Sequence, residues 1–289
     1  MFQEKKKIIL DTDIGGDCDD AVALALLNNL INAEKCSLLL VTLAINFDGG
    51  CSTVRAINDY YKNGGVPVGA GGNVRGCKKR AYSEHIKNRY GFSDVPDGEN
   101  VKLLRKTLSE SKEKVTLIAI GPLTNLAALL NSGADEFSSL DGESLVKERV
   151  KEFFVMGGSE LDMAEYNIEA DISAAQRFFG YKEAPVHIFP WELGEGVLTG
   201  ETLVYGDNPA GECVNFWCGG KNKNRDSWDP VTCAVAVLGD ELFEKERASV
   251  TVTDDGKTIF DKDEKGNCFL YRSKEDKRQL KEYLERYLK

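Results

Sequence analysis

Asp11-Thr12-Asp13-Ile14-Gly15-Gly16-Asp17-Cys18-Asp19-Asp20-Ala21-Val22 places five carboxylates within ten residues, straight after a short apolar run. Acids this dense repel one another unless a cation sits among them. The preceding Ile8-Ile9-Leu10 suits a buried strand, and the following Ala21-Val22-Ala23-Leu24-Ala25-Leu26-Leu27 suits a core helix. The acids therefore fall on the turn from a strand's C-terminal end into a helix, where open α/β sheets bind ligands. Gly15 and Gly16 let that turn bend sharply, so that Asp13 and the Asp19-Asp20 pair face one point. A hard, oxygen-seeking cation is the occupant such a cluster calls for. Capping of the next helix accounts for one or two of the acids, not five. An EF-hand loop does not fit, because the glycine and the closing glutamate fall at the wrong offsets.

Outward from this turn, strand and helix signals alternate, which predicts a mainly parallel sheet with helices on both faces. Ser37 to Ala44 reads as a second strand ending at Asn46, Val54 to Tyr61 as a helix, and Val66-Pro67-Val68 as a short strand. From Gly71 to Gly98 the chain is rich in Gly, charge and Tyr with little periodicity, and reads as a long loop of the kind that is usually a lid, a binding loop or disordered. Val115 to Ile120 is a buried strand, with Gly121-Pro122 starting a helix. Phe153 to Met156, then Gly157-Gly158, is the next strand and turn. A helix around Ser173 to Phe179 precedes the strand Val186 to Phe189, and Trp228-Asp229-Pro230 opens a helix through Val237. The tail reads as a hairpin, Ser249 to Thr253 with Cys268 to Tyr271, and a charged closing helix from Ser273. No repeat or linker divides the chain, so residues 1–289 form one domain.

The 289 residues are ample for a large core, and a formal charge of -10 argues against affinity for nucleic acid or acidic membranes. Met1 to Lys7 lacks the long apolar core of a signal peptide, and no stretch is long enough to span a bilayer. Eight cysteines without a C-x-x-C pair read as reduced thiols in the cytoplasm. Two histidines and scattered cysteines speak against zinc. Cys18, among so many carboxylates, has its thiolate disfavoured and is a poor nucleophile.

Taken together, these strand ends resemble the calcium-dependent nucleoside hydrolases, the inosine–uridine-preferring nucleoside ribohydrolase family, from about Ile8 to Leu238. That family shows D-x-D-P-G-x-D-D-A, and Asp11 to Ala21 matches it with Ile for Pro and two extra residues. Asn46, Gly121-Pro122-Leu123-Thr124-Asn125, Met156-Gly157-Gly158, Glu165-Tyr166-Asn167-Ile168 and Trp228-Asp229 follow in the family's order. The resemblance implies a single α/β domain with a Rossmann-like core and a C-terminal hairpin and helix. It also implies hydrolysis of ribonucleosides to ribose and free base, in a homo-oligomer (dimer or tetramer).

Residue by residue, the resemblance makes Asp13, Asp20 and Asp229 carboxylate ligands to Ca2+, and Ile120 a ligand through its backbone carbonyl. Asp13 is also the implied general base, and Asp19, Asn46, Glu165 and Asn167 the holders of the ribose hydroxyls. Trp228 stands where pyrimidine-hydrolysing members commonly place a proton-donating His. The purine-preferring members resemble this arrangement, with Trp stacking on the base, so purine nucleosides are the expected substrates. His187 reads as a structural mid-strand residue, and His85 as a solvated loop residue. Trp191 reads as a core or interface residue more than as a second stacking face. The short loop after Gly158 lacks the family's 5′-hydroxyl-binding Asn, a place Glu160 or Asp162 could take.

Two other classes compete. In a haloacid-dehalogenase-type phosphatase Asp11 would be the nucleophile and Asp13 the acid. That class normally wants Thr or Val where Gly15 stands, and a strand-end lysine that this chain does not offer. A non-catalytic calcium- and ribose-binding relative is disfavoured by the presence of both Asp13 and Asp229.

Overall fold

β1 (Lys6–Thr12), β2 (Cys36–Leu43), β3 (Val68–Gly69), β4 (Val115–Ala119), β5 (Val150–Met156) and β6 (Val186–Phe189) lie in the order 3-2-1-4-5-6, all parallel. The computed structural model describes residues 5–71, 81–203, 208–221 and 223–289. A small antiparallel pair, β7 (Leu198–Thr199) with β8 (Arg225–Asp226), stands apart from the main sheet. The main sheet continues with β9 (Phe243–Val252), β10 (Thr258–Lys262) and β11 (Cys268–Ser273), to give nine strands.

The inner strands are apolar on both sides because both faces are covered. In β1, Ile8 and Leu10 pack with the helices Asp19–Asn32 and Trp228–Leu238, while Ile9 packs on the other side with Leu104, Leu126 and Val146. The same alternation sends Ile118, Phe154 and Met156 to the first face and Leu117, Phe153 and Val155 to the second. Strand order reverses at β1, whose neighbours are β2 on one side and β4 on the other. The connections leave in opposite directions there, and the crevice at the carboxyl ends is the place where such sheets bind ligands.

The antiparallel tail expected from the sequence is present and belongs to the main sheet: β9 pairs antiparallel with both β10 and β11, and β11 joins β6 in parallel. Three other expectations from the sequence need correction. The closing helix starts at Lys277, where Asp276 and Gln279 form a capping box, and Ser273 ends β11 instead. The helix after β4 begins at Thr124, leaving Gly121-Pro122 as the turn ahead of it. The stretch from Gly71 to Gly98 is less loop-like than its composition implies: it contains the helix Ser83–Tyr90, while 72–80 lie outside the described residues. Helices Asn100–Glu110, Gly142–Arg149 and Pro209–Trp217 also escaped the periodicity reading.

A buried polar cluster fixes the far side of β1. Thr42 and Asn125 both donate to Asp11 Oδ1 (2.5 and 2.7 Å), and Asn100 Nδ2 donates to Asn125 Oδ1 at 3.0 Å and to the Leu43 carbonyl at 2.8 Å. The amide of Asn125 thus links β1 to two helices. Asn125→Ala strands Asp11 and Asn100 in a dry environment and is expected to lower stability by about 2 kcal/mol. A urea titration checks this as a lower midpoint with an unchanged slope.

Candidate active site

Asp13 leaves the end of β1 where the backbone of Gly121, at the end of β4, passes close by. A Cβ on Gly121 would lie 2.9 Å from Asp13 N and 3.0 Å from its Oδ1, so only glycine permits this approach. The turn then reverses at Gly15 (φ +127°), with Phe47 packed where any side chain on Gly15 would go. The helix Asp19–Asn32 follows, and no side chain caps its N-terminus, so Asp19 and Asp20 are not acting as caps. Both are buried, and with Asp229, from the first turn of Trp228–Leu238, they bring one carboxylate oxygen each within 4.8 Å of one another.

Thr12 donates its hydroxyl to Asp20, and the Asp229 amide donates to Asp19 Oδ2 at 3.3 Å. Burial pushes the carboxyls of Asp19, Asp20 and Asp229 well above the usual range, and the neighbouring acids add to it. Arg225 partly relieves Asp19, but the main influences on Asp20 and Asp229 include no positive group. An all-oxygen trio of buried acids, only one of them relieved by a nearby cation, is a donor set suited to a hard metal ion, and these residues could hold one.

The trio opens into a cavity of about 480 Å³, of the size that holds a small ligand. Its lining includes Asp13, Ile120, Glu165, Asn167 and all three tryptophans, Trp191, Trp217 and Trp228. Burial, and after it the charges of Glu165, Asp17 and Asp11, push the Asp13 carboxyl up to about 7, against a backbone hydrogen bond that lowers it. Glu165 caps a short helix: its carboxylate accepts from the amides of Gly158 (2.9 Å), Asn167 (3.0 Å) and Ile168 (3.3 Å). Asn167 Nδ2 donates to the Met156 carbonyl at 3.2 Å, which fixes the amide at the end of β5. Trp228 donates its indole N–H to the Trp191 carbonyl at 2.8 Å, and the Arg225 guanidinium lies 4.8 Å from its ring centroid. Gly194 makes that packing possible, since a Cβ there would lie 2.4 Å from Trp228 Cα.

Residues 8–282 match the family model of the inosine-uridine preferring nucleoside hydrolases. The chain belongs to this family. Over 188 residues it is 32% identical to RihC, a non-specific ribonucleoside hydrolase of Escherichia fergusonii, a match covering 60% of this chain and 57% of that protein. The chain therefore spans little more than half the length of that relative. Over its whole length it also superposes on the inosine-uridine preferring nucleoside hydrolase of Bacillus anthracis, with a TM-score of 0.74, 22% identity and 98% and 99% of the two chains covered. The purine-preferring ribonucleoside hydrolase of Gardnerella vaginalis gives a TM-score of 0.72 at 20% identity, with 98% of each chain covered. At such identities these two structures show a common fold.

Among nucleoside hydrolase positions read from the sequence, Asp13, Asp19, Asp20, Ile120, Glu165, Asn167, Trp228 and Asp229 all line the one cavity. Asp13 stands outside the closest carboxylate trio, whereas Asp19, which the resemblance gives to the ribose, lies inside it. Asn46 is exposed and is not among the cavity's lining, while its neighbour Phe47 is. Trp191, read as a core or interface residue, faces the cavity instead. Glu160 is held by Arg272 and Asp162 by Lys257, and neither lines it. His85 lies in a helix, with Glu212 at 3.0 Å and its ring stacked on Phe216. His187 bridges Tyr271 and Glu152 between aromatic rings, as a structural residue should.

The phosphatase reading fails on geometry, because Asp11 points to the opposite face of β1, into the Thr42 and Asn125 cluster. Phe47, Trp217, Asp17 and Arg225 line the cavity too and were not singled out. Trp217 and Arg225 lie eleven and three residues before Trp228, so an aromatic or cationic residue near that helix start was the available signal.

The repulsion within the trio gives an expectation of opposite signs. In chelator-treated protein, Asp229→Asn removes one buried like charge and should raise the melting temperature by about 2–4 °C. With metal present the same substitution removes a ligand and should lower it. Thermal melts with and without chelator check both signs.

Proposed function

We propose that this protein hydrolyses the N-glycosidic bond of ribonucleosides, purine nucleosides first, with Ca2+ as its resident ion. The observation that carries the reading is the convergence of Asp19, Asp20 and Asp229 beneath a cavity walled by three tryptophans, in a chain of this family. Asp13, Asp20, Asp229 and the Ile120 carbonyl are the proposed ligands, and of these Asp20 and Asp229 lie in the closest trio together with Asp19. When bound, calcium supplies a place where water and the vicinal hydroxyls of ribose are held together.

Asp13, at the end of β1, is the proposed base that orients the attacking water and takes its proton. Glu165 and Asn167 are already fixed by backbone hydrogen bonds at the end of β5 and cost little reorganisation as ribose partners. The ribose role is proposed for Asp19, Asn46, Glu165 and Asn167, with Asn46 placed next to the cavity-lining Phe47. As C1′ gains oxocarbenium character, the carboxylates around it stabilise the positive charge on the sugar. The tryptophans favour the larger stacking face of a purine.

No helix among the described residues is long and apolar enough to cross a membrane. A cytoplasmic dimer or tetramer remains part of the proposal.

Reducing-sugar release from inosine, abolished by a chelator and restored by calcium, is the direct test. Elemental analysis should find calcium in the purified protein, and zinc or magnesium at full occupancy would refute that assignment. Asp13→Asn should keep the fold and lower kcat by several orders of magnitude. Because ribose partners left unpaired in a buried site are costly, 2′-deoxyinosine should be slower in kcat/KM by roughly 10³. Equal rates on the two substrates would remove the diol-binding set.

A further inference from the structure

Seven acidic side chains and one cation line the cavity among the described residues, and no histidine does. That balance suits a sugar cation and is hostile to the other half of the reaction. A departing nucleobase takes the bonding electron pair with it and becomes an anion unless a proton or positive charge meets it. Among the described residues Arg225 is the one group in the lining that offers positive charge.

Arg225 is built in. Its Nε donates to both oxygens of Asp17 (2.9 and 3.0 Å), Nη2 donates to Asp17 Oδ2 at 2.5 Å, and Nη1 to Asp226 Oδ2 at 3.0 Å. The side chain is mostly buried, with 29% of its surface exposed, and its Cζ lies 4.8 Å from the Trp228 ring centroid. Three of its five N–H groups are engaged in this way, which leaves one on each terminal nitrogen for a ligand. Asp17 lies in the acidic turn that is two residues longer than the family pattern.

We propose that Arg225 is the leaving-group residue of this enzyme, with Asp17 as its positioning residue. The inference rests on the reading above that the cavity cleaves N-glycosidic bonds. In the step, the water oxygen bonds to C1′, its proton passes to Asp13, and the C1′–N pair goes to the base. The guanidinium donates hydrogen bonds to an acceptor on the departing base and carries the developing negative charge, as an oxyanion hole does for oxygen. Arg225 itself loses no proton, because a guanidinium stays charged in proteins, and solvent supplies the proton that neutralises the freed base. The cation also takes part of the Trp228 surface, so the base meets an indole and a guanidinium together rather than a bare stack.

The test separates the leaving group from everything else. 4-Nitrophenyl β-D-riboside has the same sugar but a phenolate that departs without help. Arg225→Gln should lower kcat on inosine by roughly 10²–10³-fold and change kcat on the aryl riboside by less than about 5-fold. Arg225→Lys, which keeps a charge, should recover roughly 10-fold of the loss on inosine. If both substrates lose activity equally in both variants, Arg225 only braces the acidic turn and the proposal is overturned. If the wild-type protein cleaves neither substrate, the hydrolase reading itself falls, an outcome distinct from loss of the arginine's role.

Discussion

Buried like charges at the carboxyl edge of β1 are the constraint on which the rest of the structure depends. Asp19, Asp20 and Asp229 are each surrounded by protein and by other acids, and without a cation each is forced toward its neutral form. A fold can tolerate such a group only where its large core carries the stability, and both layers here are extensive. The cost is localised at the crevice where β2 and β4 part company on either side of β1. Charge that would destabilise the metal-free protein becomes ligand charge once a divalent ion is present.

Backbone proximity at this edge is set by small residues. Gly121 lets β4 approach Asp13, and Gly194 lets the turn after β6 lie against Trp228. These contacts draw the ends of β1 and β4 and the start of Trp228–Leu238 around one volume. The opposite face of β1 is stitched by Asp11, Thr42, Asn125 and Asn100, so the two aspartates of the Asp11-Thr12-Asp13 segment do different work. One holds the sheet to its helices, and the other faces the cavity.

Acidic floor and aromatic wall divide the cavity by chemistry. The floor suits polyhydroxylated sugar and positive charge, and the wall suits a flat heterocycle. Arg225 sits at the wall, bound to Asp17 from the acidic turn. The Arg225–Asp17 ion pair thus links the loop that carries the carboxylates to the aromatic wall.

Much of this was legible in the sequence. The run from Asp11 to Val22 carries its own signals: an apolar strand, glycines, acids and a core helix, all local in the chain. The alternation of the remaining segments gave the parallel sheet, whereas Ile120, Asn167 and Asp229 were named through the family resemblance, whose motifs fall at strand ends and helix starts, and not from local pattern alone. What the tertiary structure decided was pairing across distance. Nothing in the sequence around Arg225 says that it reaches Asp17, some two hundred positions away, or that Trp191 and Trp217 turn toward the same cavity as Trp228. The same holds for Asn46, exposed while its neighbour Phe47 faces inward, and for the tail, whose β11 joins the main sheet beside β6. Local pattern fixes which face of an element is apolar. Which side chains meet depends on how elements pack, a long-range property set by the whole core.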